Sequence, residues 1–178
     1  MASFNSNFYF PQEGLNYLLN VVPRNTQAAP SITYIGLVAT SWATISGYAV
    51  AGDNPITLNA GTWAVTEASG FTGYNRLTLS GASWGIPVSG LITIGTSTSV
   101  PIQGTTYSGS SLTWTNNGTT YSGINGMFVS ISGTPGLTSA SGGTVLWYAP
   151  FSDLSTVVLA SGDSLTITPT WQMASYPY

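Results

Sequence analysis

The sequence predicts an all-β domain, an antiparallel β-sandwich of jelly-roll-like kind with one short amino-terminal helix and an extended arm ahead of it. Three observations carry that expectation. Short apolar or alternating runs recur along the chain, clusters of Gly, Ser and Asn separate them, and helical periodicity occurs only once. The 178 residues suit one domain of ordinary size.

Residues 1–10 form the expected arm. Phe4, Phe8, Tyr9 and Phe10 are interleaved there with Ser and Asn. Rings are costly to leave in water, so the arm either folds back on its own domain or docks on a neighbouring subunit. These four residues are the candidate subunit or partner interface.

A helix is expected over residues 11–22. Pro11 suits a first helical position, Glu13 complements the helix dipole, and Pro23 ends the pattern. Leu15, Leu18, Leu19 and Val22 fall at i, i+3, i+4, i+7, which reads as one apolar face seeking a sheet. Gly14 weakens the helix by about 1 kcal/mol relative to Ala.

The rest of the single β domain, to residue 178, reads as strand and turn. Ser31 to Thr40 is a nearly continuous apolar run, as in a central strand. Tyr74 to Ser80 alternates, with Leu77 and Leu79 on one face. Gly126 to Ser132 aligns Met127, Val129 and Ile131. Thr144 to Ala149 and Asp163 to Thr170 complete the clear set. The stretch 86–123 is almost free of charge and rich in Ser, Thr and Gly. It reads either as inserted hairpins or as ordinary strands of the same sandwich.

Composition narrows the chemistry. Only 4% of residues are charged, against about 25% in ordinary globular domains. The chain holds 24 Ser, 25 Thr and 21 Gly but no Lys, His or Cys, and its only cations are Arg24 and Arg76. Disulfides, thiol or histidine catalysis, zinc fingers, haem ligation and lysine Schiff bases are thereby excluded. Two arginines cannot neutralise the phosphates of a nucleic-acid site, and a net charge of −3 offers no attraction to an anionic membrane. No cofactor or metal site is expected. With 43% hydrophobic and 12% aromatic residues the chain can still bury a core. Its surface must then be mostly hydroxyl and amide, which suits a protein covered by neighbours.

The carboxylates are Glu13, Asp53, Glu67, Asp153 and Asp163. A glycosidase needs two of them, about 5–10 Å apart across a cleft. Glu13 has a helix-start role, and Asp53 and Asp163 sit in turn sequences. Glu67 and Asp153 are left beside turn-like residues, so local structure accounts for each acid and no catalytic residue is assigned. Among the six tryptophans, Trp147 reads as core, while exposed Trp and Tyr offer a lectin-like surface as a minor alternative. Asn117 to Thr119 fits a glycosylation acceptor by chance. The first ten residues show no signal-peptide pattern and no run approaches 18 apolar residues, so assembly in a cytoplasm is expected.

Four stretches carry a resemblance: 18–40 (LLNVVPRNTQAAPSITYIGLVAT), 67–79 (EASGFTGYNRLTL), 126–132 (GMFVSIS) and 142–168 (GGTVLWYAPFSDLSTVVLASGDSLTIT). Their order is similar to that in a group of small tailed-bacteriophage virion proteins, labelled tail-fibre or head decoration proteins. In that group a Leu-Leu helix precedes a YVALFT-like strand. An EVSGGYAR-like turn, a GGxLLWYG-like strand and a VxxGDxLxI-like hairpin follow. The corresponding elements here are Leu18 and Leu19, Tyr34 to Thr40, Glu67 to Arg76, Gly142 to Tyr148 and Val158 to Ile167. About half the chain is covered; the arm and the 86–123 stretch depart from the pattern. The resemblance implies a non-enzymatic structural role in the virion. The expected form is a homo-oligomeric, trimeric capsid decoration (cement) protein bound to the major capsid protein. A tail fibre or tail adaptor is the alternative, and a host-glycan-binding module a further one.

Overall fold

The computed structural model describes residues 11–41, 43–44, 57–58, 64–93, 101–131, 144–151 and 156–174. The aromatic arm, Asp53, Asp153, Trp42 and Trp63 lie outside them. In chain order the elements are helix α1 (Gln12–Val21), β1 (Ile32–Val38), β2 (Thr57–Leu58), β3 (Ala64–Val65) and β4 (Leu77–Ser80), then a 3₁₀ turn at Gly81–Ser83. There follow β5 (Val88–Thr93), β6 (Pro101–Ser108), β7 (Leu112–Thr115), β8 (Tyr121–Ile124), β9 (Gly126–Ser130) and β10 (Val145–Pro150). The last described elements are β11 (Val157–Leu159), β12 (Ser164–Ile167) and β13 (Thr170–Ala174). One helix among many antiparallel strands makes this an all-β, sandwich-like domain, as the sequence predicts.

The most apolar runs become the strands with both faces covered. β9 and β10 are buried at every position. They form a four-stranded antiparallel sheet in the order β10-β9-β1-β4. Register sets Ile35 beside Val129 and Leu37 beside Met127, so these side chains share a face. Against that face pack Trp114 of β7, Ile124 of β8, Leu159 of β11, and Leu165 and Ile167 of β12. These strands form two antiparallel pairs, β12-β7 and β11-β8. Within the 86–123 stretch, β7 thus carries the core residue Trp114, and Tyr121 at the start of β8 packs against the core. β6 is the centre of a three-stranded antiparallel sheet between β13 and β5, and Val88 on β5 stays 67% exposed.

The Ser and Thr excess has a visible place on β7 and β12. Three hydroxyl pairs cross between the strands: Ser111 with Thr168 at 2.7 Å, Thr113 with Thr166 at 2.9 Å, and Thr115 with Ser164 at 2.8 Å. Inward residues alternate with these rungs, so one strand pair is apolar inside and hydroxylic outside without any charge.

Helix α1 corrects the sequence expectation. The residues that pack on the protein are Gly14, Tyr17 and Val21, one residue out of step with the expected stripe, of which only Leu18 is partly buried. Leu15, Leu19 and Val22 are instead 46%, 56% and 74% exposed. Two polar anchors and a small residue choose the face. The Tyr17 hydroxyl donates to the Ala28 carbonyl at 2.9 Å. The Val145 backbone N–H donates to the Glu13 carboxylate at 2.9 Å. Gly14 lies against the carbonyls of Val145 and Leu146 so closely that any Cβ would strike them. Helical periodicity alone cannot weigh these contacts, because it scores leucine and ignores glycine.

Gly14→Ala therefore sets two effects in opposition. Helix propensity favours Ala by about 1 kcal/mol, while overpacking against rigid backbone costs about 1–3 kcal/mol. Packing wins, and the variant is expected to lose stability. A urea midpoint at or above wild type would refute the close approach.

Candidate functional site: a buried ion pair and an exposed helix face

The segment EASGFTGYNR leaves β1's flank and returns to it. The Ala39 N–H donates to the Thr66 carbonyl and the Ala68 N–H to the Leu37 carbonyl, both at 2.8 Å, which holds Glu67 beside the end of β1. The chain then turns through Gly73, at φ +96°, and brings Arg76 to the start of β4. Glu67 and Arg76 meet in a bidentate pair, Nε to Oε1 and Nη2 to Oε2, each at 2.8 Å. Both side chains are fully buried.

Neighbours complete the cluster. The Tyr74 hydroxyl donates to Glu67 Oε1 at 2.6 Å and accepts the Leu37 N–H at 3.1 Å. The guanidinium lies 5.0 Å from the centre of the Phe128 ring, and Nη1 reaches the Ser130 hydroxyl at 3.5 Å. Gly36 makes room for this: a Cβ there would collide with the Phe128 ring and the Tyr74 hydroxyl. Residues 67, 74 and 76, all within the motif that carries the family resemblance, thus act as one interior polar unit. The sequence pattern places Glu67 only beside turn-like residues. Its partner lay nine positions away, and in so charge-poor a chain that coincidence was the available signal.

Burial pushes the Tyr74 phenol well above its ordinary range, and the Glu67 charge and hydrogen bond push it further. Burial does the same to Tyr148, with the Glu13 charge adding to it. The Tyr148 hydroxyl is buried with no hydrogen-bond partner among the described residues.

The other described acids also hold structure. Glu13 ties α1 to β10, and the Asp163 carboxylate accepts the Ala160 N–H at 2.9 Å in the turn before β12. Trp147 is core, as expected, at 2% exposure. Among the described residues no three His, Cys, Asp or Glu gather as metal ligands. What the surface offers is apolar: the Leu15, Leu19 and Val22 stripe on α1, and Ile86 and Val88 at the entry to β5. The four aromatic residues of the candidate interface, Phe4, Phe8, Tyr9 and Phe10, lie outside the described residues.

No protein-family model, curated protein or solved structure matches the chain. Fold and site define a class: an all-β, sandwich-like domain pinned by a buried ion pair, with an apolar helix face open to solvent.

Removing one partner of a buried pair strands the other charge at a cost of about 3–5 kcal/mol, whereas apolar replacement of both is often neutral. Glu67→Gln is expected to lose stability in that range, and Glu67→Leu with Arg76→Met to recover most of it. Equal losses in the two variants, by urea denaturation, would show that the cluster is not governed by charge burial.

A phenol whose folded-state pKa is raised adds stability below its unfolded value, near 10, and loses it as pH climbs above that. Stability is thus expected to fall above about pH 10. Tyr74 and Tyr148 should ionise only with unfolding, seen as a late step in phenolate absorbance that coincides with loss of β circular dichroism. Full ionisation of all ten tyrosines in the folded protein would contradict this.

Proposed function

We propose that the protein is a non-enzymatic structural component of a bacteriophage virion, with a capsid decoration protein as the first reading and a tail fibre or adaptor as the second. The observation that carries the proposal is the α1 face. A leucine–valine stripe is presented to solvent on a chain with almost no surface charge to keep it apart from its neighbours. Such a surface suits permanent cover by other subunits, where apolar burial contributes roughly 25 cal/mol per Å² and ion pairs contribute little. The motif resemblance supports the same reading, and its Glu67, Tyr74 and Arg76 serve folding, which leaves the outer faces for assembly. A homo-oligomer, trimeric on a head shell, and attachment to the major capsid protein belong to this proposal. The aromatic arm is its second contact.

Immunogold labelling of particles tests the position: label spread over the head supports decoration, and label confined to the tail rejects it. Leu15→Gln with Leu19→Gln tests the surface. Both positions are exposed and Gln is a good helix former, so stability should change by only about 0.5 kcal/mol, while copies per particle drop. Unchanged incorporation would remove the helix face from the interface.

A further inference from the structure

Four aromatic residues from separate segments line one cavity as two contacting ring pairs that the β6–β13 register sets side by side. Trp84, after the 3₁₀ turn, stacks on Tyr107 of β6 with centroids 5.0 Å apart and planes within 5°. Tyr107 lies opposite Trp171 on β13 in the sheet register. Trp171 in turn meets Trp147 of β10 at 5.9 Å and 49°. The Trp84 indole N–H donates to the Thr33 hydroxyl at 3.2 Å, and that hydroxyl donates in turn to the Leu79 carbonyl at the same distance. These rings line a solvent-open cavity of about 200 Å³ with Ser31 and Thr33 among its polar members.

We infer that this cavity is a binding site for a single neutral pyranose ring, the terminal sugar of a glycan. Size sets the first limit: a cavity of about 150 Å³ accepts benzene, so this one takes one substituted six-membered ring. Charge sets the second. No lining residue is charged, Arg76 is committed to Glu67, and Arg24 bonds to Asn20 on the helix, so an anion finds no counter-charge. A quaternary ammonium needs ring faces turned to one point, yet Trp84 and Tyr107 spend a face on each other. A pyranose needs one flat aromatic face for its C–H side and a hydroxylic, watered edge for its hydroxyls. Trp171 and Trp84, each half-buried, are aromatic walls of the cavity, and the exposed Ser31 also lines it. Because stacking and the Thr33 bond already hold the rings, binding costs little ordering. The site is independent of the assembly role proposed above.

The test follows the tryptophan indole N–H signals by NMR while methyl glycosides of glucose, galactose, mannose and N-acetylglucosamine are added, with phenol as the apolar control. The expected result is saturable movement of the Trp84, Trp147 and Trp171 signals with at least one glycoside at millimolar concentration, and none of Trp114, which is buried against the opposite layer. Trp171→Ala should weaken that binding about tenfold. Ser31→Ala, which leaves the walls intact, should weaken it with unchanged stability. Response to phenol alone, response only at other indoles, or no response to any glycoside would each overturn the inference.

Discussion

An arginine side chain can be placed inside a β-sandwich only if its charge and its planar donors are answered on the spot. Arg76 is answered by the two Glu67 oxygens, the Ser130 hydroxyl and the Phe128 ring face. That requirement fixes more than two residues. It draws the 66–68 segment against β1, starts β4 at a set position, demands the absence of a side chain at Gly36, and orients Tyr74 so that its hydroxyl serves both Glu67 and the Leu37 N–H. In general such a pair adds little net stability over a well-packed apolar replacement; what it does here is tie the 66–68 segment, β1, β4 and β9 to one cluster.

The remaining interior polarity is handled by neutral groups. The Asn116 amide donates to the Thr119 and Leu159 carbonyls, and Asn125 bonds to Ala39, Gly123 and Thr156. Each ties a loop to a strand without adding charge. On the outside, the β7–β12 hydroxyl rungs do likewise for a solvated face. Amides and hydroxyls thus take over tasks that lysine and glutamate perform in most domains, consistent with the low charge of the whole chain.

Much of the fold was legible because burial leaves a trace in local composition. The runs around Ile35, Met127 and Trp147 are apolar wherever both faces are covered, and the strands appear there. The Glu13 assignment to the helix start was right in place, but not in its reach to Val145, which depends on a strand more than a hundred residues away. Periodicity misplaced the packed face of α1 by one residue, since a glycine under two carbonyls leaves no hydrophobic signal. The aromatic cavity was beyond reach for a different reason: Trp84, Tyr107, Trp147 and Trp171 lie in four unconnected segments, and only the sheet pairings bring them together.

Burying Arg76 also shapes how the folded chain meets a protease. Trypsin cuts after arginine and lysine; this chain has no lysine, and one of its two arginines is locked inside the sandwich. In the native state Arg24, on the exposed stretch after α1, is the single accessible cleavage point, so digestion of folded protein should stop once the segment ahead of Asn25 is released. Even after unfolding, trypsin finds no cleavage point between residues 77 and 178. A protein built this way offers trypsin few openings, and its tryptic digest yields very few peptides by which to be counted.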